Sequence, residues 1–228
     1  MILRLIDRLA ERYCEGEHKL EAMRAREEYF ELGGKVFDDD KELFEGRMAS
    51  FLEWYVLERA FKDGPPPAVH ALGSDKTLSS EDRQGIALLA ASHRSLFELH
   101  GVDGNELDVE DVVGGARFRV TERRKTTAMT VGDLFEARVI WDGESVIFGR
   151  TFLFHPPDAR EVALDFVEGA VGRGQSRQEI MFQLARNHIR WHRLGHVGAA
   201  KLYRQDLQHP DVPPEPAPAR PASPSRDG

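Results

Sequence analysis

The sequence predicts an α+β protein with an N-terminal helical layer, a small five-stranded antiparallel sheet or barrel, and C-terminal helices. Three observations carry that expectation. Apolar residues recur at helical spacing from Ile2 to about Ala91. From Phe97 to Phe154 the pattern changes to alternation, broken by turn signals at Asp103-Gly104, Gly114-Gly115 and Asp142-Gly143. After Pro156-Pro157 the helical spacing returns.

The first helix is expected from Ile2 to about Leu32, with Ile2, Leu5, Ile6, Leu9, Tyr13, Leu20, Met23 and Phe30 as its apolar positions and Gly33-Gly34 as its stop. Asp38-Asp39-Asp40 suits the N-terminus of a second, central helix running to about Phe61 and ended by Pro65-Pro66-Pro67. Ser79-Ser80-Glu81-Asp82 announces a short third helix. In the alternating region Ala116, Phe118 and Val120 point one way and Arg117, Arg119 and Thr121 the other, as in a half-buried strand. No crossover helix fits between such closely spaced strands, so they should pair antiparallel. Asp158 is placed to cap a helix through about Val171. Ser176-Arg177-Gln178-Glu179 reads as a capping box for a longer helix to about Leu207, weakened by Gly195 and Gly198. The expected units are residues 1–93, 94–156 and 157–208, followed by a proline-rich, disordered tail over 209–228.

Composition narrows the function classes. Across 228 residues, 31 basic against 39 acidic side chains give a net charge of −8, which argues against indiscriminate nucleic-acid binding. A single cysteine, Cys14, excludes an internal disulfide and a cysteine-only zinc site within one chain. Apolar runs are too short to span a membrane, and Arg4, Asp7 and Arg8 interrupt the stretch a signal peptide would need, so a cytoplasmic protein without membrane insertion is expected.

The segment from about Phe51 to Pro156 resembles a family of uncharacterised bacterial proteins whose members often carry a SEC-C zinc motif. The residues that carry the resemblance are Phe51, Glu53-Trp54-Tyr55-Val56-Leu57-Glu58-Arg59, Leu78-Ser79-Ser80-Glu81-Asp82-Arg83, Arg94-Ser95-Leu96-Phe97-Glu98-Leu99, Gly114-Gly115 and Val131-Gly132-Asp133-Leu134-Phe135-Glu136-Ala137-Arg138-Val139. With one cysteine, this chain lacks the SEC-C motif itself. The resemblance implies a helical platform joined to a small β-module, with no catalytic residues to carry over and no established substrate.

The residues offer three functional readings. The leading one is a non-catalytic binding or regulatory protein that recognises an acidic macromolecular partner through a basic β-module surface. Arg117, Arg119, Arg123, Arg124 and Lys125 cluster on one strand and its following loop, and guanidinium groups grip carboxylate or phosphate in bidentate fashion. Arg186, Arg190 and Arg193 on the C-terminal helix extend the surface. Residues 173–209 hold 7 basic and 2 acidic side chains, against 11 and 16 in residues 1–63, so charge is divided along the chain. The alternative is a sequence-tolerant single-stranded RNA- or DNA-binding module, opposed by the lack of aromatics interleaved with those cations.

A third reading is a metal-dependent enzyme in which His188, His192 and His196, four residues apart, ligate a transition metal. Arg190 and Arg193 would repel that cation, and a weakly basic amphipathic helix accounts for the spacing as well. No cofactor is expected. Gly172-Arg173-Gly174 lacks the lysine and spacing of a P-loop, and Cys14 near His18 is surrounded by glutamates that oppose thiolate formation. Asp108 and Asp111 read as turn residues, and Trp54, Tyr55 and Trp191 as core. Oligomeric state is left open.

Overall fold

The computed structural model describes residues 2–37, 41–62, 64–124 and 129–208. Asp38 to Asp40, Lys125 and the expected disordered tail therefore lie outside the described residues. Among the described residues, eight α-helices and a curled antiparallel sheet of five strands, with a short sixth strand at its side, make an α+β half-barrel fold.

The expected first helix is two. Helix α1 (Arg4–Cys14) and helix α2 (Lys19–Gly33) are separated by a single tight turn, because Gly16 adopts φ +55°, outside the helical region. The turn also changes the phase of the apolar stripe. In α2 the buried positions are Ala22, Ala25, Tyr29 and Phe30, and the expected Leu20 and Met23 face outward. Helix α3 (Lys41–Leu57) is central, as its wide apolar coverage predicts, and buries Phe51, Trp54, Tyr55 and Val56 against α1, α2 and the sheet. It ends four residues before Phe61, where Phe61 and Gly64 close a small turn. The proline run does more than stop a helix. Pro67 is the first residue of helix α4 (Pro67–Ser74), absent from the sequence reading, because a proline's missing N–H is tolerated at the first helical position. Helix α5 (Ser80–Ala90) begins as expected, with Ser79 Oγ accepting from the Asp82 amide at 3.0 Å.

The strands are β1 (His93–Asp103), β2 (Glu106–Asp111), β3 (Arg117–Thr121), β4 (Leu134–Trp141), β5 (Val146–Phe148) and β6 (Leu153–Phe154). Their order is β3-β2-β1-β4-β5, all antiparallel, with β6 pairing β4 through Phe135 and Phe154. The sheet curls until β3 approaches β5. Its inner face is the core of Phe97, Leu99, Leu107, Val109, Val120, Phe135, Val139 and Phe148. The opposite face is turned to the helices: Leu96 and Leu134 pack on the C-terminal helices, and Ile140 packs in the α1–α3 core.

The C-terminal helices are α6 (Arg160–Gly172), α7 (Arg177–Arg193) and α8 (Ala199–Gln208). The capping box is present in full: Ser176 Oγ accepts from the Glu179 amide, and Glu179 accepts from the Ser176 amide at 2.7 Å. The expected long helix to Leu207 breaks over 194–198, between α7 and α8. Asp158 does not cap α6; its Oδ2 accepts from the Ala200 amide, 3.4 Å away, at the start of α8. The two helical regions share one core, since Phe182 of α7 packs edge-on against Tyr29 and Trp54. Gly33 permits that approach, as a Cβ there would strike both Phe182 and Arg47.

Candidate functional site

Strand β3 places Arg117 and Arg119 on one side of the sheet's edge, 77% and 57% exposed. Neither is unopposed. Arg117 donates through Nε to Glu110 Oε2 at 3.0 Å, and Arg119 lies 3.3 Å from Asp103 and 3.7 Å from Glu106. Arg123 lies 3.7 Å from Asp142 in the β4–β5 turn, so the surface carries both signs of charge.

Arg124 has a different role from the exposed contact expected of it. Its Nε and Nη2 donate to Glu122, its Nη1 to the Arg150 carbonyl at 3.0 Å and its Nη2 to the Gly149 carbonyl at 2.9 Å, while its guanidinium stacks over Phe152. These bonds tie the end of β3 to the chain leaving β5, where the half-barrel's edges come together.

The α7 arginines are also engaged within the chain. Arg186 donates to the Glu31 and Leu32 carbonyls at the C-terminus of α2, satisfying acceptors that the helix leaves without partners. Arg193 donates to the Lys35 carbonyl at 2.6 Å and lies over the Phe37 ring. Arg190 shares this helix and also has an interaction within the chain.

The histidine series comes apart because α7 ends at Arg193, leaving His196 in the break before α8. His188 is buried with its Nδ1 unpartnered, and burial, followed by the positive neighbours His155, His192 and Arg47, pushes its pKa down to about 3. No group of three potential metal ligands occurs among the described residues.

Buried polar chemistry also gathers between α3 and the helix-facing side of the sheet. Arg47 and Glu53 from α3 meet Arg94 of β1 and Glu136 and Arg138 of β4, all buried. Arg138 Nε lies 3.4 Å from Glu53 and its Nη2 pairs with Glu58. Arg94 has less support: Nη1 reaches the Tyr29 hydroxyl at a long 3.5 Å, the guanidinium lies over Phe182, and Nε and Nη2 have no hydrogen-bond partner. Arg47 Nη2 donates to the Gly33 carbonyl at 3.3 Å, but Nε is unpartnered. Glu136 Oε1, likewise unpartnered, stands 3.7 Å from His155 Nε2, and His155 Nδ1 shares a 2.8 Å hydrogen bond with the Tyr203 hydroxyl. Beside these groups is a cavity of about 80 Å³, lined by the apolar Leu43, Ala137, Phe152 and Leu153 as well as by Gly46, Arg47, Ser50, Arg94, Glu136 and Thr151.

Sequence reasoning missed this set because Arg47, Arg94 and Glu136 are ordinary polar letters within amphipathic elements. The one available signal was alternation. Arg94, Leu96 and Glu98 share a face of β1, as Leu134, Glu136, Arg138 and Ile140 share one of β4, so charges had to stand beside core residues.

Other polar centres are explained by structure. Asp111 is buried, accepts from Ser95 Oγ and from the Val113 and Gly114 amides, and pairs with Arg177 at 3.0 Å, which locks the β2–β3 turn onto α7. Ser95 and His93 both end on this carboxylate, so they do not form a nucleophile–base pair. Burial, and then the Glu15 charge, push the Cys14 thiol up to about 11. An open groove of about 540 Å³ beside Trp54 is crossed by ion pairs from Arg59 to Glu21 and Glu28.

No helix among the described residues is long and apolar enough to cross a membrane. A family model described as a family of unknown function (DUF7986) matches residues 3–181, whereas no curated protein and no solved structure matches. That span runs from α1 through the whole sheet and into α7, and it takes in every residue lining the cavity between α3 and β4. The chain therefore belongs to the DUF7986 family.

Proposed function

We propose that this protein acts in the cytoplasm by recognition without covalent chemistry, and that edge strand β3 and the turn after it take an acidic macromolecular partner. The observation that carries this reading is the placement of Arg117 and Arg119 on one side of an edge strand, paired with carboxylates that are themselves solvent-accessible, Asp103 being 84% exposed. Exposed ion pairs contribute only about 0–1 kcal/mol, so exchanging a carboxylate of the chain for one of a partner costs little. A guanidinium has five N–H donors, which leaves several on each arginine for the partner. The likeness to SEC-C-associated proteins belongs to the same proposal, since a zinc module beside this region suits a protein that recognises other molecules.

One observation favours single-stranded nucleic acid as a second reading. Trp141, half exposed, precedes Asp142, the carboxylate that Arg123 approaches, so an aromatic face and a cation adjoin at the β4–β5 turn. Titrating the full chain with polyglutamate and, separately, with oligothymidylate at low and high salt distinguishes the two. Trp141 fluorescence and anisotropy serve as readouts. Saturable polyglutamate binding that weakens with salt and falls about tenfold in Arg117→Glu/Arg119→Glu is expected. Oligothymidylate binding with Trp141 quenching would establish the second reading, and silence toward both polymers would end the surface proposal.

A further inference from the structure

His100 borders the Arg117–Arg119 surface as the extra residue of a β-bulge in β1. Leu99 pairs with Val109 and Gly101 with Asp108, so His100 stands outside the β1–β2 register. A bulge re-aims the side chain it frees, and here the imidazole, 41% exposed, turns to Glu110 of β2. Its Nε2 lies 3.3 Å from Glu110 Oε2. The same oxygen takes both Nε and Nη2 of Arg117, each at 3.0 Å. One carboxylate oxygen therefore serves two groups, a guanidinium that is always charged and an imidazole whose charge changes with pH.

A neutral imidazole offers Glu110 no counter-charge, and Arg117 supplies it. An imidazolium brings a second cation to that oxygen. The other carboxylates around His100 are engaged elsewhere. Glu98, on the same strand, pairs with Arg160, and Asp103 pairs with Arg119. Asp133, in the loop leading to β4, accepts from the Thr130 amide at 2.7 Å. Asp108 of β2 stands against Gly101, where a Cβ would sit 3.2 Å from its Oδ2.

We propose that His100 sets the pH response of the partner surface: its protonation draws Glu110 to the imidazolium and frees the Arg117 guanidinium for a carboxylate of the acidic partner. This inference rests on the surface reading above and adds its regulation. His100, Glu110 and Arg117 are all solvent-accessible, so the exchange breaks no buried contact and its effect is modest. Capture of the acidic partner strengthens as pH falls from about 8 to about 6, the interval in which histidine gains its charge.

Anisotropy titration of the full chain with rhodamine-labelled polyaspartate, at pH 8 and pH 6 in low salt, tests the assignment. The polymer's carboxyls stay ionised at both values. Binding about threefold tighter at pH 6 is expected. His100→Gln keeps a hydrogen-bonding side chain without the charge, and should lose most of that response. Glu110→Gln frees Arg117 at every pH, so at pH 8 it should bind at least as tightly as the parent does at pH 6. No polyaspartate binding at either pH overturns the surface reading and this inference with it. Three results overturn this inference alone: equal binding at both pH values, a response undiminished in His100→Gln, or weaker binding by Glu110→Gln than by the parent at pH 8.

Discussion

Arg94 and Arg138 are direct neighbours across the β1–β4 ladder, both buried on the side of the sheet that faces the helices. Like charges in such a pair are destabilising, so the arrangement depends on what opposes them. Glu53 and Glu58, one helical turn and a residue apart near the end of α3, both reach Arg138. Glu53 also accepts from the Arg150 amide at 3.2 Å, and Gly149 leaves room for the pair because a Cβ there would sit 3.1 Å from Arg138 Cβ.

Removing Arg138 should therefore be severe. Arg138→Met leaves Glu53 as a buried, uncompensated charge, and a loss of about 3–5 kcal/mol in urea unfolding is expected. The double variant Arg138→Met/Glu53→Leu should recover a large part of that loss. Equal instability in single and double variants would show that packing, not charge, supports this layer.

Asp111 sets an acid limit. Burial alone would raise its carboxyl, but hydrogen bonding with His93 and Ser95, the Gly114 amide and the Arg177 charge outweigh burial and bring it down to about 2. A depressed carboxyl stabilises above its unfolded value and loses that contribution as pH falls through its folded value. About 2 kcal/mol should therefore disappear between pH 4 and pH 2. Asp111→Asn should cost a similar amount at neutral pH and match the parent protein near pH 2 in chemical denaturation.

His188 acts in a higher window. Its pKa of about 3 lies below the ordinary histidine value of 6.5, so the unfolded chain binds a proton more readily. Nothing is lost above pH 6.5. Below it, stability should fall by about 1.4 kcal/mol per pH unit until pH approaches 3. His188→Gln should flatten the stability profile between pH 6 and pH 4, and an unaltered slope would show that other groups carry it.

Much of the architecture was legible in local chemistry. The change in apolar spacing near Arg94 marked where helices give way to strands. Ser79 and Ser176 marked helix starts through the oxygen each offers to an amide three residues on. The Asp103-Gly104 and Asp142-Gly143 turns fixed two hairpins. Where local signals had two meanings the reading failed. The proline run could end a helix or begin one, and Gly16, an unremarkable letter in a helical stretch, divides α1 from α2.

The sequence by itself determined the α+β class, the central position of α3 and the antiparallel order of neighbouring strands, because these follow from periodicity and turn chemistry within a few residues. Tertiary structure alone decided which charges are available. Arg124, Arg186 and Arg193 each donate to a backbone carbonyl 25 or more residues away along the chain. Arg47, Arg94 and Glu136, spread across nearly ninety residues, meet at one cavity. Whether a guanidinium faces water, a carbonyl or an enclosed space depends on the elements packed around it, which its own neighbours in sequence do not encode.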